Sequence, residues 1–131
     1  DVGSGKTVVA LYAMLAAVAN RYQAPFMCPT EILARQHAQR IQQALEGAPC
    51  SVELLTASLS SRDKRDLLDQ IAMGTVDMVV GTQALLSQRV QFAQLGLVVI
   101  DEQHKFGVEQ RAALCDGRLQ PHYLVLSATP I

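Results

Sequence analysis

The stretch Asp1-Val2-Gly3-Ser4-Gly5-Lys6-Thr7 constrains the rest of the chain more than any other. It carries the body of a phosphate-binding loop, G-x-x-x-x-G-K-[ST], whose leading glycine would stand one residue before Asp1. Gly3 and Gly5 allow backbone angles that a Cβ would forbid, so successive N–H groups can converge on one phosphate. Lys6 would set a compact positive charge on the β- and γ-phosphates, and Thr7 a hydroxyl on Mg²⁺. The apolar run that follows supplies a helix whose N-terminal dipole favours the same anion. Gly3, Ser4, Gly5, Lys6 and Thr7 are therefore the expected phosphate contacts.

A Gly/Ser turn before a helix would look similar, so a second element decides. Leu97-Val98-Val99-Ile100-Asp101-Glu102 is a buried-strand run that ends in adjacent carboxylates. P-loop enzymes hold Mg²⁺ with an acidic residue at the end of such a strand. Paired acids after a strand also occur as a solvated loop or a helix cap. The P-loop in the same chain selects the nucleoside triphosphatase reading.

Composition narrows the classes. The 131 residues suffice for one domain with a real core, and 50% hydrophobic with 18% charged residues is a globular balance. A net charge of −1 excludes nucleic-acid binding driven by a global positive excess, so any such contact must be local. Cys28, Cys50 and Cys115 show neither a disulfide framework nor zinc-ligand spacing, and they suit a reducing compartment. The longest unbroken apolar stretch, Val8 to Ala19, falls well short of the roughly 20 residues that span a bilayer. Arg62, Lys64 and Arg65 interleave with Asp63, Asp66 and Asp69, which predicts a solvated helix face with local charge pairs. Aromatic residues make up only 5%, so a base-stacking single-strand platform is not expected.

Along the chain, strands and helices alternate. A helix is predicted from Gly5 to about Asn20, apolar on nearly every side and so expected to be buried all round. A strand follows over Ala24–Cys28, then a helix from Glu31 to about Leu45, capped by Thr30 and with Ile32, Leu33, Ile41 and Leu45 inward. Gly47 and Pro49 should end it. Ser51–Leu55 reads as a strand, and Ser60 as the cap of a helix with Leu67, Leu68 and Ile71 inward and Gly74 at its stop. Asp77–Val80 is a buried strand opening into Gly81-Thr82, and a helical turn is predicted over Gln83–Leu86. The acidic strand comes next, then a helix from about Val108 to Cys115, then a strand over Tyr123–Leu126. This is the pattern of an α/β domain with a mostly parallel sheet, in which ligands gather at the carboxyl ends of strands. Thr30, Thr56, Gly81, Asp101 and Ser127 all fall at those ends.

Asp101-Glu102-Gln103-His104 is a DExH box, Pro29-Thr30-Glu31-Ile32-Leu33-Ala34 looks like motif Ia, and Ser127-Ala128-Thr129 like motif III. On these motifs the chain resembles the first motor lobe of superfamily 2 helicases. The run from Asp101 to Arg111 resembles the RecG family of bacterial ATP-dependent DNA helicases, which remodel branched DNA. The resemblance covers essentially the whole chain, as a three-layer P-loop NTPase (RecA-like) lobe over residues 1–131, truncated at both ends. It implies a strand before the P-loop, inside the sheet, whose loss would leave unpaired backbone in neighbouring strands. Ala57, Gln83 and Lys105 depart from the family pattern, where glycine, histidine and arginine are expected.

The resemblance implies ATP and Mg²⁺ as ligands. Lys6, Asp101 and Glu102 would be catalytic: Asp101 and Thr7 hold the metal, and Glu102 polarises the attacking water. Gln103, His104, Ser127 and Thr129 would couple nucleotide state to the rest of the motor. Thr30, Glu31, Thr56, Gly81 and Thr82 would meet the DNA backbone, without base readout. Read without the resemblance, Thr30 is an N-cap and Gly81 a turn glycine. Phe106-Gly107-Val108 is either a link between the nucleotide and DNA sides or plain packing. His37 and His122 are left as structural.

The implied partners are branched or forked DNA, a second RecA-like lobe and an N-terminal DNA-binding region of the same parent chain. The implied setting is the bacterial cytoplasm, with no membrane role. Competing readings are a transcription-repair coupling translocase, an RNA helicase and a non-catalytic nucleotide-binding module. Glutamate rather than Gln103 would be expected in the translocase, and Lys6, Thr7, Asp101 and Glu102 argue against the non-catalytic module.

Overall fold

The computed structural model describes residues 4–82, 85, 90–101 and 121–126. Helix α1 spans Ser4–Ala19, strand β1 Ala24–Met27, α2 Glu31–Ala44, β2 Val52–Leu55, α3 Ser61–Met73, β3 Met78–Gly81, β4 Leu97–Asp101 and β5 His122–Leu126. All five expected strands form, and they make one sheet in the order β2-β3-β1-β4-β5. Every pairing is parallel. The helix predicted over Val108–Cys115 and most of the turn at Gln83–Leu86 lie outside the described residues.

The helix limits follow from local chemistry. The Thr30 hydroxyl accepts from Leu33 N–H and the Ser60 hydroxyl from Asp63 N–H, each satisfying an orphan donor of a first helical turn. Gly74 closes α3 in the left-handed region at φ 81°, a conformation costly for a residue with a Cβ. α2 stops at Ala44 with Leu45 as its cap, just ahead of Gly47 at φ 86°.

Alternate strand residues face opposite layers, as the period of two requires. Ala24, Phe26, Cys28, Met78, Val80, Leu97, Val99 and Leu126 pack with Ala10 and Met14 of α1 and Ala34, Ala38 and Ile41 of α2. Met27, Leu55, Val79, Val98 and Ile100 pack on the other side with Leu67 and Ile71 of α3 and with Phe92. The central strands β1, β3 and β4 are buried throughout. Their continuous apolar runs match a sheet covered on both faces.

Three expectations need correction. α1 is not buried all round: Thr7, Ala10 and Met14 face inward, whereas Val8, Val9 and Tyr12 are exposed. Only one stripe of a straight helix can touch a sheet, and no described element lies over the other side of α1. Ile32 is exposed, because α2 meets the sheet through Ala34, His37, Ala38 and Ile41, which form its inward stripe. No interior position of the sheet is vacant among the described residues: the strands bond in an unbroken series, and β2 and β5 are the edges. On β5, Val125 is 44% exposed.

At the amino end of the sheet, Gln23 ties three segments together. Its side-chain amide donates to the carbonyls of Ile71 and Val76, at 2.9 and 3.0 Å, and its oxygen accepts from Gln94 N–H. Its backbone N–H donates to the Gln94 carbonyl, and its own carbonyl accepts from Gly96 N–H. The amide is buried, yet both N–H bonds and the oxygen are engaged.

Candidate nucleotide site and strand-end rim

α1 begins in the loop motif, with Ser4, Gly5, Lys6 and Thr7 in its first turn. Gly3 lies outside the described residues. A helix N-terminus offers unpaired N–H groups and the positive end of the dipole to an anion. Thr7 is buried, and its Oγ1 lies 3.2 Å from Nδ1 of the equally buried His37. The His37 ring packs against Phe26, with centroids 4.7 Å apart.

Asp101 closes β4 and is 4% exposed. It stands in register with Leu126 of β5, the residue before Ser127. Its carboxylate also reaches Cys28, at the end of β1: burial pushes the Cys28 thiol up to about 12, and Asp101 adds to that rise. A carboxylate next to a thiol raises it because two negative charges would repel. Thr7 and Asp101 are thus buried oxygen donors at the same end of the sheet. Glu102, Gln103, His104, Lys105, Phe106, Gly107, Val108, Ser127 and Thr129 lie outside the described residues.

The remaining predicted contacts line the same rim. Thr30 is exposed, and its hydroxyl oxygen is occupied by the Leu33 N–H, which leaves its own hydrogen to donate. Thr56, just after β2, is buried, and its Oγ1 lies 3.0 Å from Ser58 Oγ. Thr82 follows β3 and is half-buried. Gly81 is a strand residue, not a turn glycine: a Cβ there would sit 2.5 Å from the Leu55 carbonyl oxygen and 3.1 Å from the Leu85 side chain. Its carbonyl accepts from Cys28 N–H. Glycine at 81 lets β2 and β3 approach where the rim begins.

Glu31 does not point free toward a ligand. Its carboxylate accepts from Arg35 at 2.9 Å and from the Ser58 hydroxyl at 2.9 Å, and these bonds hold it below the usual carboxylate range. Arg35 also donates to Ser58. The cluster joins the start of α2 to the loop after β2. Among the described residues the Arg35–Glu31 contact is the ion pair; the alternating charges of α3 are solvated as expected but form none.

Arg35 and Ser58 were not singled out from the sequence, and His37 was left as structural. A helical count from Ala34 would have put His37 on the inward stripe, whereas its Thr7 partner is 30 residues away and carried no signal. Among the described residues no His, Cys, Asp and Glu group of three or more is placed to hold a metal. No described helix is long and apolar enough to cross a membrane.

A parallel α/β sheet with the loop motif at the start of α1 and a buried acidic strand end has the architecture of a P-loop domain. The chain belongs to the DEAD/DEAH box helicase family, which it matches over residues 1–131. It is 50% identical over its full length to the ATP-dependent DNA helicase RecG of Synechocystis sp., covering 16% of that protein. It is 51% identical to the RecG of Acidithiobacillus ferridurans, covering 19% of it. A solved structure of RecG bound to a three-way DNA junction superposes with a TM-score of 0.86 at 41% identity, over all of this chain and 17% of that one. The fold is thus the RecA-like helicase fold. The chain spans less than a fifth of the length of these relatives.

Proposed function

We propose that the chain is the ATP-binding part of the first motor lobe of a RecG-type DNA helicase, acting in the bacterial cytoplasm. The observation that carries this reading is the burial of Thr7 and Asp101 at the carboxyl end of one sheet, in a chain half identical to RecG helicases. ATP would rest its phosphates on residues 3–7, with Lys6 against the β- and γ-phosphates. Thr7 and Asp101 suit Mg²⁺: both are hard oxygen donors, and no group of three or more acidic or His/Cys side chains forms a cage among the described residues, so phosphates and water would complete the shell. Bound there, Mg²⁺ would neutralise charge building on the phosphates. Glu102 orients the water, while Gln103, His104, Ser127 and Thr129 relay nucleotide state to the rim.

The rim would track a DNA backbone. Thr30 donates its hydroxyl hydrogen, Thr82 and the strand-end N–H groups add neutral donors, and Glu31 positions Arg35 and Ser58 rather than meeting phosphate. The partners are branched or forked DNA, a second RecA-like lobe that supplies arginine fingers, and an N-terminal DNA-binding region. Such fingers are worth about 10³ to 10⁵ in rate, so this lobe alone binds nucleotide weakly and hydrolyses it negligibly.

The test is steady-state ATPase activity of the intact parent at fixed salt. Forked DNA should stimulate more than linear duplex, and Lys6→Ala should abolish ATP binding. Equal stimulation by linear duplex favours a transcription-repair coupling translocase. Preference for single-stranded RNA favours an RNA helicase, and unchanged ATP binding in Lys6→Ala favours a non-catalytic module.

A further inference from the structure

We propose that His37 is a positioning residue for the magnesium-bound nucleotide: its Nδ1 takes the hydroxyl hydrogen of Thr7 and so aims the Thr7 oxygen at the cation. The inference rests on the nucleotide-site reading above. A hydroxyl has one hydrogen and two lone pairs, so it serves a cation only when the hydrogen points elsewhere. In a buried site that hydrogen needs an acceptor, and the Nδ1 of His37 is placed to be one. His37 Nδ1 lies 3.2 Å from Thr7 Oγ1, and the two side chains are only 6% and 7% exposed.

The opposite arrangement, Nδ1–H donating to Oγ1, would occupy a lone pair and leave the hydroxyl hydrogen to compete for the cation's position. The neutral tautomer with its proton on Nε2 avoids this. The ring is held from the other side by Phe26, with an interplanar angle of 34°, so it cannot swing freely away from Thr7. Phe26 belongs to β1 and His37 to the inward stripe of α2, so the acceptor is set by the core rather than by a loop. Outer partners of this kind, which orient a metal ligand, are worth roughly ten- to a hundredfold in metal affinity.

The experiment uses the intact parent protein and the fluorescent nucleotide mant-ADP, titrated in Mg²⁺ and again in EDTA. The readout is the ratio of the two affinities, which requires no turnover. H37N places a carboxamide near the Nδ1 position and should keep the wild-type ratio. H37Q carries its carboxamide farther out, and H37L has none; in both the ratio should fall about tenfold, with affinity in EDTA unchanged. Urea midpoints report any loss of packing separately. Equal ratios in H37N and H37Q would overturn the proposal, as would parallel losses with and without Mg²⁺. A wild-type parent that binds no mant-ADP would instead overturn the nucleotide reading itself.

Discussion

The two ends of the sheet bury polar side chains to different purposes. At the amino end, Gln23 spends every bond inward, on the backbone of α3's last turn and of the segments before β3 and β4. At the carboxyl end, Thr7, His37, Thr56 and Asp101 are equally buried, and side-chain contacts join Thr7 to His37 and Thr56 to Ser58 of the rim. A buried amide satisfied by main chain stabilises the fold and resists change. Buried hydroxyls and a carboxylate at strand ends fit the proposed nucleotide site, whose ligand groups would add to the partners these side chains already have.

That contrast breaks most sharply at Asp101. In the parent protein Asp101→Asn should lower ATPase activity by about a hundredfold or more, because on the proposed reading a metal ligand worth several kcal/mol of charge stabilisation would be lost. Its urea midpoint should move less than that of Gln23→Leu, since the isosteric amide keeps the shape and hydrogen-bonding capacity of the site. A large fall in stability would move Asp101 into the same class as Gln23.

Gln23→Leu should behave in the opposite way. It keeps the bulk but strips hydrogen bonds from the Val76 and Ile71 carbonyls and the Gln94 amide. A loss of about 3 kcal/mol by urea unfolding is expected, with per-molecule nucleotide affinity of the folded protein unchanged.

Thr30→Ala lies between the two. Losing the N-cap should cost about 1 kcal/mol, and DNA affinity should fall with it, whereas Ser60→Ala, an equivalent cap that is not among the expected DNA contacts, should cost similar stability and leave DNA binding alone. If both variants bind DNA equally well, Thr30 is only a cap.

The smallest effect concerns Cys28. Its thiol is raised from about 9 to about 12 in the folded chain, first by burial and then by Asp101. The folded state therefore favours the neutral thiol. The stability this contributes is full below about pH 9 and drains away as pH climbs from 9 to 12. Iodoacetamide at pH 9 should label Cys50 well before Cys28, and Asp101→Asn should quicken Cys28 slightly. Peptide mass spectrometry separates the sites.

The caps at Thr30 and Ser60 and the stop at Gly74 were legible because each is a bond or a backbone angle within a few residues. The strand runs were legible because apolar stretches between turn residues need only local reading, and the site's location followed from the rule that parallel strands present ligands at their carboxyl ends. The inward phase of α2 was misread at Ile32 because a cap residue sets where a helix begins, while the neighbouring sheet decides which stripe it shows. α1 was misread for a related reason: an all-apolar helix has no polar side to mark its outward face.

The sequence by itself thus determined the order of the described elements and most of their ends, and it marked the residues proposed for the nucleotide site. Tertiary structure alone decided the strand order β2-β3-β1-β4-β5, the side of α1 that is buried, the stitch at Gln23 and the meeting of Thr7 with His37. Local bonds and periodicity act over a few residues, so a linear reading captures them. Strand order and buried polar pairing join residues tens of positions apart, and only packing the whole sheet brings them within reach.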